Sequence, residues 1–410
     1  MIILLVYKNL VSKPLNALLS LILLISGIAI ISLLLHMQDQ IENRLSKQID
    51  GIDQVMGAKG SPLQLILSAV YQIDAPTGNI NFQEAQRWMN HPFVQRAIPL
   101  SYGDNYLGFK IVGTTHDYFK HFEAELAEGK IFEDDFQVLI GAQVANRTGL
   151  KLGDKFESMH GGAETGDVHA HHPFTVAGVL KPSNKLIDFL ILCNLNSYWL
   201  MHDEAHTHEH DDEEHDHAAC DHDHEQSEKE ITAVLFKFKN KMAALQWPRM
   251  IAENTNMQLA SPAIEINRLF TLFGIGIEML QYLGLGILIL SALSIFIGLY
   301  NNLKDRKYEM AMIRVNGGSR FLLFALISFE SLLLCIVGFA AGTVLAAMVI
   351  NLLGQSSAEQ YNLMIQPLQF FGMQQGMIFG LVLLLGFAAA FIPAIKAYKL
   401  NISKTLADNQ

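Results

Sequence analysis

NNLKDRKYEMAMIRVNGGSRFLLFALISFES, residues 301–331, is a short charged segment between two long apolar runs. It holds Lys304, Arg306, Lys307, Arg314 and Arg320 against Asp305 and Glu309. Basic loops beside membrane spans stay on the cytoplasmic side, so the segment reads as a cytoplasmic connector between two transmembrane helices. Tyr308, Met312 and Val315 fall at i, i+4 and i+7, one stripe of a helix. Met310 and Ile313 share the neighbouring face, and Arg306 and Glu309 are spaced to pair. Gly317 and Gly318 then supply a left-handed stop. A short amphipathic helix of this kind suits two surroundings equally well: a cytoplasmic protein partner, or the headgroups of anionic lipid.

The rest of the chain hangs from this connector. Half of its 410 residues are hydrophobic, and they gather into four runs. Residues 15–35, 279–303 and 360–395 contain no charge, and 321–353 contain only Glu330. Each exceeds the about 20 helical residues that cross a hydrocarbon core. The expected fold class is an α-helical membrane protein with four transmembrane helices, plus a mixed α/β domain between helices 1 and 2. The spans are placed at 15–36, 269–303, 321–353 and 373–395. A cytoplasmic amphipathic elbow is expected over 1–14, with Pro14 in the first turn of the first span, where a missing N–H costs nothing. The external domain and its stalks take 37–268, the connector 304–320, an outer loop 354–372 and a cytoplasmic tail 396–410. Lys8 and Lys13 precede the first span and no small-residue cleavage site follows it, so it reads as a signal anchor. Lys396, Lys399 and Lys404 follow the last span. Both termini are thus expected inside, and the large domain outside.

Within that domain, 36–50 reads as a helix continuing out of the membrane, and the apolar stretch 63–70 as a buried helix. Helical spacing also marks 82–90, 118–128, 142–148 and 241–254. Strands are expected at 108–112, 136–140, 174–180, 189–193 and 231–238. In the spans, Gly338-x-x-x-Gly342 and Gly376-x-x-x-Gly380 permit close helix approach. Glu330 is costly in hydrocarbon unless it faces protein, and reads as a structural tie. Cys193, Cys220 and Cys335 form no disulfide framework.

Two insertions interrupt the domain: MHGGAETGDVHAHHP at 159–173 and HDEAHTHEHDDEEHDHAACDHDHEQS at 202–227. The net charge of −11 is largely the property of the second, which holds no Lys or Arg. It should be disordered in the absence of ligand. His202, His206, His208, His210, His215, His217, Cys220, His222 and His224, with interleaved carboxylates, suit zinc, copper or nickel. His160, His169, His171 and His172 strengthen the metal reading, since both insertions lie outside. Metal binding should weaken as pH falls, because protonated imidazole cannot ligate. The plain alternative is a solvated low-complexity insertion.

No catalytic constellation stands out. The chain has no G-x-x-x-x-G-K-[ST], no H-E-x-x-H, no nucleophile elbow and no basic nucleic-acid surface. If nucleotide energy is used, another chain binds the ATP.

One span, a large external domain and three further spans around this connector resemble the MacB/FtsX/LolC-LolE group of ABC-transporter permeases. The residues behind the resemblance are Arg306-x-x-Glu309-x-Ala311-x-Ile313-Arg314-x-x-Gly317-Gly318 and the following Phe329-Glu330-Ser331-Leu332-Leu333-Leu334. The ending Pro393-Ala-Ile-Lys-Ala397 with Leu406 is also similar, and residues 129–199 resemble the small β-rich subdomain of the external domain. Val315-Asn316-Gly317 departs slightly from the family pattern. The resemblance implies an inner-membrane permease without enzymatic activity of its own, paired as a homodimer with cytoplasmic ABC ATPases. It puts Arg306, Glu309, Ile313, Arg314 and Gly317 at the ATPase contact, with motion transmitted along the stalks. Residues 54–80 resemble a subgroup associated with zinc-responsive systems that have a periplasmic metal-binding partner or lipoprotein. Lipoprotein release or peptide efflux, and an FtsX-like signal relay that moves no substrate, remain the other readings.

Overall fold

The computed structural model describes residues 14–160, 173–208, 229–361 and 372–400. Two compact units emerge: Met1–Glu42 with Thr271–Gln410, and Asn43–Phe270.

The helices in chain order are α1 (Pro14–Gln48), α2 (Pro62–Ala69), α3 (Phe82–Met89), α4 (His116–His121), α5 (Ala142–Thr148), α6 (Leu195–His208), α7 (Lys241–Asn254), α8 (Pro262–Asp305), α9 (Lys307–Val315), α10 (Arg320–Tyr361) and α11 (Met373–Tyr398). The strands are β1 (Gln54–Ala58), β2 (Ile80–Asn81), β3 (Val94–Tyr106), β4 (Phe109–Thr114), β5 (Leu126–Gly129), β6 (Gln137–Ile140), β7 (Lys155–Phe156), β8 (Met159–His160), β9 (Phe174–Leu180), β10 (Ile191–Asn194), β11 (Glu230–Ile231), β12 (Ala233–Phe238) and β13 (Met257–Ala260).

The external unit is built on a mixed sheet in the order β13-β1-β12-β3-β4-β10-β6-β9-β5, with β7 on β9 and β8 on β3; β2 and β11 make a separate pair. Its centre is covered on both faces. Val55, Ala233 and Leu235 enter one apolar cluster with α2 residues Leu65 and Ile66. Met56, Val234 and Phe236 enter another with Trp247 and Ile251 of α7. Strands covered on both faces lose the apolar–polar alternation that marks a strand in sequence. That is why β1 escaped the sequence reading. β9 is recognisable because its burial does alternate. α2 is a core helix of this unit: Ser61 caps it by accepting from Gln64 N–H at 3.4 Å, and Leu65, Ile66, Ser68 and Ala69 are buried.

Three expectations need correction. A helix over 118–128 is replaced by α4 and β5. Glu123 takes a positive φ of 51°, which ends the helix, and the chain then pairs with β9. Disorder throughout 202–227 fails at its start, because α6 runs on to His208. Asn194 Oδ1 accepts the Ser197 N–H at 2.7 Å and caps that helix, and nothing from 202 to 208 is a helix breaker. The outer loop at 354–372 likewise begins as helix, since α10 continues to Tyr361.

Among the described residues, four helices are long and apolar enough to cross a membrane: Ala17–Gln48, Pro262–Asp305, Arg320–Leu353 and Met373–Tyr398. At 44 residues, α8 is about 66 Å long, roughly twice a hydrocarbon core. The helices share one apolar cluster: Leu24 and Ile28 of α1, Leu288 and Leu299 of α8, Leu323 and Ile327 of α10, and Val382 and Ala390 of α11. Polar cross-links supplement it. Ser20 and Ser294 hydroxyls are 2.8 Å apart, and Ser331 Oγ donates to Gly386 O at 2.7 Å. Asn302 Nδ2 donates to Glu330 Oε1 at 3.4 Å, so the buried Glu330 ties α10 to α8. Gly338 lies against Leu24, and a Cβ on Gly342 would lie 2.8 Å from Ile28 Cβ, one turn further along α1. Gly376 and Gly380 have open space beside them among the described residues, so the second glycine pair makes no such contact.

Candidate functional site

The connector is an elbow of known parts. Asp305 ends α8 and Arg306 opens α9 with φ −106° and ψ 15°. Arg306 Nε lies 2.9 Å from Glu309 Oε2, the pair expected from the i, i+3 spacing. Glu309 is 62% exposed, so this pair contributes less than about 1 kcal/mol; it orients the side chains more than it stabilises them.

The far end of α9 is held by two backbone bonds. Gly318 N–H donates to Ile313 O at 2.9 Å and Gly317 N–H to Arg314 O at 3.2 Å, with Gly317 at φ +91°. This is a Schellman turn, which a residue with a Cβ fits poorly. Gly318 is constrained for a second reason: its Cβ would sit 2.7 Å from Ile313 O. Ser319 then caps α10, its Oγ accepting the Leu322 N–H at 3.1 Å. Only residues 316–319 separate the two helices, so α9 has little freedom relative to α10.

One face of α9 is seated. Met310 and Ala311 are buried, and Ile313 packs on the membrane-helix cluster. The opposite face is not covered: Tyr308, Met312 and Val315 are 45%, 40% and 57% exposed. Lys307 directly precedes the stripe and is exposed, as are Lys304 and Arg320 on the helices to either side. An apolar centre with a charged rim is the composition of a protein contact surface.

Among the residues named by the sequence motif, Glu309 and Gly317 are exposed and Arg306 is half-buried. Arg314 is also half-buried, and its Nε is enclosed with no hydrogen-bond partner among the described residues. Ile313 turns inward, so it belongs to the seat of the helix and not to its outer face. Tyr308, Met312 and Val315 were visible in the sequence as a helical stripe, but the motif did not assign them to a contact.

The histidine-bearing segments leave the external unit from one place. Phe156 and Phe174 flank the first insertion, Met201 precedes the second, and all three share an apolar cluster. Ser158 Oγ contacts Met201 Sδ at 3.1 Å. His160 ends β8, opposite Asp104 of β3. His202, His206 and His208 lie in the last turns of α6. His169, His171, His172, His210, His215, His217, Cys220, His222 and His224 lie outside the described residues. Among the described residues, no group of three or more His, Cys, Asp or Glu side chains could hold a metal ion.

Two family profiles match the chain. MacB-like periplasmic core domain matches residues 17–234, and FtsX-like permease C-terminal matches residues 282–402. The periplasmic region of MacB from Actinobacillus actinomycetemcomitans aligns at TM-score 0.33 and 10% identity, covering 55% of this chain and 97% of that one. The extracellular domain of the noncanonic ABC-type transporter YknZ from Gram-positive bacteria aligns at TM-score 0.31 and 11% identity, covering 51% and 99%. No curated protein matches the chain.

Proposed function

The chain belongs to the family of FtsX-like permeases with a MacB-like periplasmic core domain, and from that premise we propose that it is the inner-membrane subunit of an ATP-driven system in which a separate cytoplasmic ABC ATPase docks on α9. The observation behind this reading is the exposed Tyr308–Met312–Val315 stripe on a helix fixed at both ends. Permeases of this family work with ABC ATPase partners in general. Arg306 alone separates α9 from α8 in the chain. α8 is one uninterrupted helix up to Pro262, immediately after β13 at the sheet edge. In this reading, ATP-driven displacement of the connector reaches the periplasmic domain as mechanical motion. Both termini lie in the cytoplasm, and two copies work as a pair.

In the same reading the periplasmic end of this motion acts on divalent metal, with zinc as the expected ion; the support is the histidine content of the two insertions. Imidazole and carboxylate donors in this density suit zinc, and a periplasmic metal-binding protein is the expected partner. The shared root of the insertions at Phe156, Phe174 and Met201 supports their acting together.

One preparation tests both halves. The full-length protein is co-expressed with its ATPase, with and without deletion of residues 209–228. Wild type should stimulate ATP turnover and retain zinc after dialysis at neutral pH. The deletion should keep the stimulation and lose most of the zinc. No stimulation by wild type would refute the ATPase partnership, and unchanged zinc content after deletion would refute the metal role of the second insertion.

A further inference from the structure

Arg96 of β3 and Lys237 of β12 sit directly opposite each other on neighbouring antiparallel strands. Like charges in that position repel and destabilise a sheet. Among the described residues no carboxylate forms an ion pair with either cation, although Asp117 lines the same cleft. Among the described residues, Lys237 has no hydrogen-bond or ion-pair partner, and the Arg96 guanidinium donates only to His121 Nδ1, at 2.8 Å. A cavity of about 430 Å³ opens over the pair, walled by Met89, Asn90, Gln95 and Asp117.

The nearby acids do not neutralise it. Asp117 pairs with Lys120 at 3.4 Å. Asp50 is exposed and only partly offsets the cations around His121. Burial and the charges of Arg96, Lys185 and Lys237 hold the His121 imidazole down at about 4, so it is neutral and accepts from Arg96. The backbone is also irregular here. The β12–β3 register shifts between Lys237 and Phe238, and Asp53 Oδ2 accepts the freed Phe238 N–H at 2.7 Å. Bulges beside binding sites re-aim side chains in this way.

We infer that the cavity between Arg96 and Lys237 binds an anion, with phosphate as the chemical class. A guanidinium fork and an ammonium sharing one cleft suit the tetrahedral, multiply charged oxyanion. The site lies wholly within the periplasmic domain. It does not depend on the metal reading or on the ATPase contact.

The test is isothermal titration of full-length protein in a neutral detergent with inorganic phosphate, beside thermal unfolding. Wild type should bind one phosphate per chain, and Arg96→Gln and Lys237→Gln should each weaken binding by about tenfold or more. Lys237→Gln should also raise the melting temperature of the phosphate-free protein, since it relieves the repulsion. No binding by folded wild type overturns the inference. So does undiminished binding by the double variant, or a lower phosphate-free melting temperature for Lys237→Gln, which would make the lysine structural. A short-chain phosphatidylglycerol below its micelle concentration identifies the source. Competition with phosphate supports the pocket with a lipid phosphate as ligand, and lack of competition supports it with the free anion.

Discussion

Met312→Glu should abolish most of the stimulation of the partner ATPase while the protein remains folded in the membrane. Met312 is 40% exposed at the centre of the outward stripe, so a charged side chain there stays solvated in the isolated permease. Exposed substitutions of this kind usually change stability by no more than about 0.5 kcal/mol. In the docked complex the carboxylate would be buried against an apolar contact without a partner, at a cost of about 2–4 kcal/mol. Docking would weaken by roughly 30- to 1,000-fold at 1.4 kcal/mol per decade. The measurement is ATP turnover against permease concentration in reconstituted membranes. Ala311→Glu serves as the contrast: Ala311 is fully buried on the seated face, so that variant should fail to assemble. Full stimulation by Met312→Glu would remove the stripe from the contact.

Gly342→Leu should prevent stable assembly of the membrane helices. A Cβ at this position already meets Ile28 Cβ at 2.8 Å and Ile25 O at 3.1 Å. The second atom is backbone and cannot rotate away. Overpacking a well-filled core costs about 1–3 kcal/mol, and a four-carbon side chain against backbone belongs at or above the upper end. Gly380→Leu provides the comparison, because nothing lies within 4 Å of that position among the described residues. The measurement is the fraction of protein that stays monodisperse in mild detergent on heating. Gly342→Leu should lose it at markedly lower temperature, and Gly380→Leu should not. Equal behaviour of the two would mean that the α1–α10 contact does little for assembly.

The sequence was most legible where one physical constraint acts alone. Charge-free runs of 20 or more residues have few outcomes besides spanning a membrane. The helix, the Arg306–Glu309 pair and the left-handed Gly317 all follow from local chemistry. Legibility fell where tertiary burial replaces local pattern. β1 is buried on both faces, so periodicity does not betray it. β3 contains Pro99, which ordinarily argues against a central strand, yet it lies between β12 and β4. Glycine spacing also could not separate Gly338 and Gly342, which meet α1, from Gly376 and Gly380, which meet nothing described.

At the site the limit was of a different kind. A motif identifies residues that recur together, and it cannot separate those that seat a helix from those that face a partner. Ile313 belongs to the motif and packs inward, whereas Met312 lies outside it and points outward. The choice between protein and lipid for the outer stripe is likewise a question of surroundings. A photo-activated cross-linker placed at Met312 in intact cells answers it. If α9 is the docking helix, illumination yields an adduct of the permease with its cytoplasmic ATPase. Adducts to lipid alone, with the ATPase present and active, would contradict the account.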